Sequence, residues 1–157
     1  MTVTGERPQT WFEDLVVGDE LPTVDYPLSV YRLVMAAGAN RDLNSIHHNT
    51  EVAQASGAPE MYANTFMLLG MWERAVRDHV GPGATLTAVR GFRMKKFNVV
   101  GDTTRVCGRV ASAQRRGEIG VVELEVWCEN SSGVTVGPGT VVVELPARPA
   151  ATGPTAG

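Results

Sequence analysis

The longest helical pattern in this chain lies at residues 59–80, which read PEMYANTFMLLGMWERAVRDHV. Apolar side chains recur there at helical spacing, and Pro59 suits the first turn of a helix. The first half of the segment is apolar on nearly every side, which is typical of a helix enclosed by other structure. The sequence therefore predicts one long, enclosed helix over 59–80, which ends at the Gly-Pro-Gly turn that follows.

Downstream of this helix the apolar period changes from helical to two, which indicates β-strands. Strands are predicted within residues 86–100, 103–111, 122–128 and 140–145, with turn residues between them. Short connections between consecutive strands favour antiparallel pairing. An enclosed helix followed by such a meander predicts an α+β domain, with an antiparallel sheet wrapped around the helix.

The upstream part of the chain completes a single domain over residues 11–146. Residues 20–28 predict an edge strand, because the prolines within it suit an edge rather than a sheet centre. Ser29 is placed to cap a helix over 30–37. Residues 1–10 are expected to form a flexible arm, and residues 147–157, rich in Ala, Pro, Gly and Thr, a disordered tail.

Composition excludes several classes of function. The net charge of −3 argues against nucleic acid or an anionic membrane as the main partner. No segment has the length of a transmembrane helix and the N-terminus lacks a secretory apolar stretch, so we expect a cytoplasmic protein. The two cysteines lie far apart without metal-ligand spacing, which predicts free thiols and no metal site.

The candidate chemistry lies in a polar, non-periodic segment, Asp42-Leu43-Asn44-Ser45-Ile46-His47. A carboxylate and an imidazole on one irregular segment can hold a single water molecule between them. An imidazole can also take and return a proton near neutral pH. Asp42 and His47 are therefore the candidate catalytic residues.

This segment resembles the hydration motif of the MaoC-like, (R)-specific enoyl-CoA hydratases: a helix end of small residues, then D-x-N-x-x-H, then A-x-x-x-G. Asp42, Asn44 and His47 fill the polar places, and the resemblance covers roughly residues 11–145. The catalytic small subunit of heteromeric steroid-side-chain enoyl-CoA hydratases is the most similar variant. That variant shares two further features with this chain, the doubled histidine His47-His48 and the aromatic-x-Asn of Tyr62-Ala63-Asn64.

The resemblance implies a hotdog fold and an enzyme that needs no cofactor. Such an enzyme adds water reversibly across the 2,3 double bond of an enoyl thioester and gives an (R)-3-hydroxyacyl thioester. The acyl group is attached to coenzyme A or to a carrier protein. His47 would then be the main proton acceptor, and Asp42 would position the water. Asn44 would hold the segment in shape.

The chain departs from the wider family where the central helix begins. The family has a His-Gly pair whose glycine amide donates to the thioester oxygen, and this chain has Asn64-Thr65. The backbone amide of Thr65 could still donate, and Asn64 could donate through its side chain or support the active-site loop. Met61 and Tyr62 are candidate substrate-binding residues, and the steroid-type relatives suggest a bulky acyl group.

Function, the role of a basic run and oligomeric state each remain open on sequence alone. The chain could be a non-catalytic acyl-thioester-binding subunit, or a hotdog thioesterase that uses Glu60 as its carboxylate. The basic run Arg93-Met94-Lys95-Lys96 could be a solvated strand face or a site for the phosphates of an acidic ligand. Open strand edges predict a homodimer or a heterodimer with a related hotdog subunit.

Overall fold

The structure, a computed structural model, describes residues 9–149. In chain order it contains a 3₁₀ turn at Phe12–Asp14, β1 Val24–Pro27, α1 Val30–Ala39, a 3₁₀ turn at Ser45–His47, α2 Thr50–Ala55, α3 Thr65–Val80, β2 Thr85–Arg90, β3 Thr103–Arg116, β4 Ile119–Asn130 and β5 Gly133–Pro146.

The strands form one antiparallel sheet in the order β1-β3-β4-β5-β2. The three central strands are long and consecutive, as short turns between them require. β1 lies at one edge, as predicted, because Pro27 cannot donate a hydrogen bond within a sheet. Register shifts interrupt the ladders between β3 and β4 and between β4 and β5, and such bulges bend and twist a sheet.

Helix α3 is enclosed by the curled sheet. Its six buried residues are Leu68, Met71, Trp72, Ala75, Val76 and Val80. They belong to the same core cluster as the inward-facing valines and leucines of β3, β4 and β5. A curled antiparallel sheet around one helix is the hotdog architecture, so the predicted α+β class and wrapped sheet are confirmed.

The central helix is shorter than predicted, since it begins at Thr65 rather than at Pro59. Asn64 is extended (φ −79°, ψ 164°), and its Oδ1 accepts a hydrogen bond from the Met67 amide at 2.8 Å. Asparagine is among the best residues for this capping role because its side chain satisfies an amide of the first helical turn. The cap, rather than the proline, sets the start of the helix.

The residues before the cap form a strand-like segment. The Val100 amide donates to the Met61 carbonyl at 2.9 Å, and the Ala63 amide donates to the Asn98 carbonyl at the same distance. Tyr62 lies between these two bonds and forms a bridge with Val99. Apolar composition alone does not distinguish such a segment from the first turns of a buried helix.

The strand predicted over 86–100 is also too long, because β2 ends at Arg90. Gly91 follows with φ +67°, a left-handed conformation that takes the chain out of the strand. Residues 91–102 then pass the start of α3 on the way to β3. They form isolated bridges at Met94 and Val99 instead of the continuous strand that was predicted.

Most of both predicted termini, residues 1–8 and 150–157, lies outside the described residues. Within the predicted tail, Ala147 is buried and the Arg148 amide donates to the Glu13 carboxylate at 2.9 Å. No helix between residues 9 and 149 is both long enough and apolar enough to span a membrane.

We expect His79, near the end of α3, to make folding stability depend on pH. Burial lowers its pKa below the usual 6.5, and the charge of Asp19 opposes this only in part. The unfolded chain therefore binds a proton more readily, so stability falls as the pH drops from 6.5 towards the lower folded pKa. Denaturant unfolding between pH 7.5 and 5.5 should show a smaller loss for His79→Gln than for the wild type. Parallel losses in the two proteins would contradict this assignment.

Candidate active site

The end of α1 fixes the backbone at Asp42. The Asp42 amide donates to the Ala37 carbonyl at 2.9 Å and the Arg41 amide donates to the Gly38 carbonyl at 3.1 Å. These two bonds form a Schellman motif, which requires a left-handed residue at the position of Arg41. Arg41 has φ +54°, and no other non-glycine residue among those described has a positive φ. The helix end thus holds the start of the motif in place at some cost in backbone strain.

His47 ends the 3₁₀ turn that follows, and it is 7% exposed. Asn44 caps this turn, since its Oδ1 accepts a hydrogen bond from the Ile46 amide at 3.3 Å. Asn49 then caps α2 in the same way, through the Val52 amide at 3.0 Å. Asn44 therefore contacts the backbone of the segment, as expected for a residue that shapes it.

The structure brings the two candidate catalytic residues into contact. His47 Nε2 lies 3.2 Å from Asp42 Oδ2, and His47 Nδ1 lies 2.9 Å from the carbonyl oxygen of Tyr62. A carbonyl oxygen can only accept a hydrogen bond, so Nδ1 carries a proton and Nε2 faces the carboxylate. The contact leaves no space for a water molecule between the two groups, so a shared water would lie beside the pair.

This arrangement suits one water molecule well. In the neutral Nδ1–H form of His47, Nε2 and the ionised Asp42 carboxylate are both hydrogen-bond acceptors. Two acceptors this close repel each other unless a donor satisfies them. A single water beside the pair can donate one proton to each and leave its oxygen lone pairs free to attack.

Free hydrogen-bond donors gather at the start of α3. Because the Met67 amide must donate to Asn64 Oδ1, the orientation of the Asn64 side-chain amide is settled. Oδ1 also accepts from Asn40 Nδ2 at 3.4 Å, whereas Asn64 Nδ2 is buried without a partner among residues 9–149. The first amides of the helix, those of Thr65 and Phe66, have no intrahelical acceptor either. Such donors suit an anionic oxygen.

A cavity of about 420 Å³ adjoins this site. Tyr62 connects the two, since its ring packs edge-on against His47 at 5.3 Å between centroids and against Phe97 at 4.7 Å. Tyr62 lines this cavity, while Met61 is partly buried against the core. The cavity wall is mostly apolar, with three polar residues, and consists of Tyr62, Ala63, Leu68, Met94, Lys95, Lys96, Phe97 and Asn98.

The carboxylate of Glu60, the thioesterase candidate, is already engaged. It accepts hydrogen bonds from the Thr50 hydroxyl and from the Met61 amide, and the Thr50 bond is the larger cause of its lowered pKa. Among residues 9–149 no group of three or more histidine, cysteine, aspartate or glutamate side chains could hold a metal ion.

Sequence reasoning missed two parts of the site. The Tyr62 carbonyl as the partner of His47 has no sequence signal, because any residue offers a carbonyl. Asn98, a buried polar residue at the cavity, stands between Phe97 and Val99 in a period-two run, and a polar residue in such a run is usually read as facing solvent.

No protein-family model matches the chain. Among curated proteins, it is 29% identical over 133 residues to the 3-oxo-4,17-pregnadiene-20-carboxyl-CoA hydratase beta subunit of Mycobacterium tuberculosis. The match covers 85% of this chain and 97% of that protein.

Solved structures show the same fold. A chain of the ChsH1–ChsH2 complex of Mycobacterium tuberculosis superposes with a TM-score of 0.71 at 29% identity, over 85% of this chain and 98% of that one. An R-hydratase of Pseudomonas aeruginosa gives a TM-score of 0.78 at 18% identity, over 89% and 88%. A MaoC-like dehydratase of Rhodospirillum rubrum gives 0.77 at 20% identity, over 89% and 99%.

We expect Arg41→Gly to stabilise the protein by up to about 1 kcal/mol, because glycine adopts the left-handed conformation without the steric cost of a Cβ atom. Arg41→Ala keeps that cost and serves as the matched control. Denaturant unfolding of the two variants checks the prediction, and an equal change in both would show that the effect is not conformational.

Proposed function

We propose that the chain is a MaoC-like hydratase that hydrates enoyl thioesters, and its fold and its 29% identity to a hydratase beta subunit support this. Water adds reversibly across the 2,3 double bond and gives an (R)-3-hydroxyacyl thioester. The observation that carries the proposal is the 3.2 Å contact between His47 Nε2 and Asp42, beside a largely apolar cavity.

His47 and Asp42 activate the water in this proposal. The water donates one hydrogen bond to each, and its oxygen attacks C3 of the enoyl group. The O–H bond to His47 breaks as the new C–O bond forms, and Nε2 takes the proton. The same proton then passes to C2, so the imidazole ends the cycle as it began. The Tyr62 carbonyl accepts a hydrogen bond from Nδ1–H throughout and so keeps the imidazole in place.

The first amide of α3 stabilises the charge that develops on the thioester oxygen. The Thr65 N–H has no intrahelical acceptor and lies at the positive end of a sixteen-residue helix. Asn64 keeps this end in place through its cap on Met67. A preorganised donor of this kind acts most strongly where charge appears in the transition state.

The acyl group is proposed to enter the cavity at Tyr62 and Phe97. Its apolar wall and its volume suit an acyl chain or a bulkier ring system, in agreement with the steroid-type relative. The exposed side chains of Lys95 and Lys96 lie at the same cavity and could meet the phosphates of coenzyme A or of a carrier protein. We place the reaction in the cytoplasm.

The second candidate is a non-catalytic subunit that binds acyl thioesters and lends its fold to an active partner. The likeness to a chain of the two-protein ChsH1–ChsH2 complex favours a heterodimer with a related hotdog subunit over a homodimer. Thioester hydrolysis is less well supported, because the carboxylate of Glu60 is already bonded to Thr50 and to the Met61 amide.

Removing either catalytic group should reduce turnover by at least about a hundredfold, because a positioned acid or base contributes on this scale. The variants are Asp42→Asn and His47→Ala, assayed with crotonyl-CoA and with a polycyclic enoyl-CoA. Loss of enoyl absorbance without free thiol indicates hydration, free thiol indicates hydrolysis, and binding without turnover indicates a scaffold subunit. A wild-type rate in either variant would overturn the roles proposed here.

The oxyanion role of the Thr65 amide can be tested by its deletion. Proline suits the first position of a helix, and the extended backbone of Asn64 (φ −79°, ψ 164°) is compatible with a following proline. Thr65→Pro should therefore fold, and kcat should fall by about a hundred- to a thousandfold. Thr65→Ala keeps the amide and should retain most activity. Equal activity in the two variants would assign the donor elsewhere.

A further inference from the structure

We propose that Asn98 is a positioning residue for His47 and acts on the imidazole through the backbone of Tyr62. The inference rests on the proposed function, since it concerns the orientation of the proposed catalytic base. Asn98 is 2% exposed and lies on the crossing segment that connects β2 to β3.

Two strands of the sheet hold the Asn98 side chain. Its Oδ1 accepts hydrogen bonds from the hydroxyl of Thr104 on β3 at 3.0 Å and from the hydroxyl of Thr135 on β5 at 2.9 Å. Both threonines are completely buried. A side chain that is bonded from two strands of one sheet cannot shift without breaking a buried hydrogen bond.

The Asn98 backbone in turn holds the segment that contains Tyr62. The carbonyl of Asn98 accepts from the Ala63 amide at 2.9 Å, and the Val100 amide donates to the Met61 carbonyl at 2.9 Å. These bonds flank Tyr62 on both sides, so its peptide group has little freedom. The Tyr62 carbonyl is the acceptor for His47 Nδ1 at 2.9 Å.

Three sets of hydrogen bonds thus connect the sheet to the imidazole. The Thr104 and Thr135 hydroxyls donate to Asn98 Oδ1, and the Ala63 amide donates to the Asn98 carbonyl. The Tyr62 carbonyl, which belongs to the same peptide group as the Ala63 amide, accepts from His47 Nδ1–H. The last bond decides which ring nitrogen carries the proton. If the carbonyl moves, the Nε2–H form becomes accessible, and that form cannot take a proton from water at Nε2.

Packing alone does not account for an asparagine at this place. Asn98 Nδ2 is buried and has no partner among residues 9–149. An unsatisfied buried donor is destabilising, and an apolar side chain of similar size would avoid that cost. The contacts that Asn98 Oδ1 makes with the two threonines are the compensation that the structure offers.

The test uses Thr135→Val, which deletes the hydroxyl and keeps the shape, and Asn98→Ala, which deletes the whole contact. We expect kcat to fall by about tenfold or more, as for other small misplacements of a catalytic group, with KM changed less than twofold. Thr135→Ser keeps the hydroxyl and should restore kcat. Val143→Ala, which removes buried side-chain volume from β5 and leaves these hydroxyl groups in place, is the control for a general loss of stability.

Two further readouts separate positioning from a merely structural role. The ¹⁵N NMR signals of His47, assigned by comparison with His47→Ala, should report protonated Nδ1 in the wild type and a tautomer mixture in Asn98→Ala. In the His47→Ala background, Asn98→Ala should lower the residual kcat no further.

The outcomes also distinguish this inference from the proposed function. A His47→Ala variant that keeps the kcat of the wild type would refute the proposed function itself. A strongly reduced kcat in His47→Ala, together with wild-type kcat and unchanged tautomer signals in Thr135→Val and Asn98→Ala, would refute only the role of Asn98. An additive effect in the double variant would likewise show that Asn98 does not act through His47.

Discussion

The candidate site depends on the capping of the central helix by Asn64. By bonding the Met67 amide, Asn64 sets the start of the helix at Thr65 and leaves residues 61–64 outside it in a strand-like path. Only an extended segment can pair with residues 98–100 on one side and present the Tyr62 carbonyl to His47 on the other. If the helix continued back to Pro59, the carbonyl of Tyr62 would be used within the helix and His47 would lose its partner.

Much of the fold was predictable because it follows from periodicity and caps. The alternation of Val122, Leu124 and Val126 with charged residues reflects burial on one face of β4, and Ser29 caps α1 as expected. Two of the errors in element bounds lie in residues 59–64 and 91–102, which pair with each other at residues 61–63 and 98–100. Their structure is set by a tertiary contact between distant parts of the chain, and neither segment has a local pattern that reveals it.

The side chains of the candidate site were predictable from the sequence, but their backbone partners were not. The motif around Asp42 and His47 is carried by side-chain identity, so it is visible in the sequence and the structure brings the pair together. The left-handed backbone of Arg41 was not predictable, because glycine is the usual sequence signal for that conformation and here it is missing. The Tyr62 carbonyl and the Asn98 contacts depend on the backbone and on burial, and these become known only with the fold.

The position of β2 at a sheet edge separates a possible assembly surface from the proposed oxyanion contact. β2 follows α3 after only a short turn, and one side of its backbone is unpaired within the sheet. A neighbouring subunit that continued the sheet there would lie near the C-terminal end of α3. The Thr65 amide lies at the other end of this helix, about 24 Å away, given sixteen residues at 1.5 Å each.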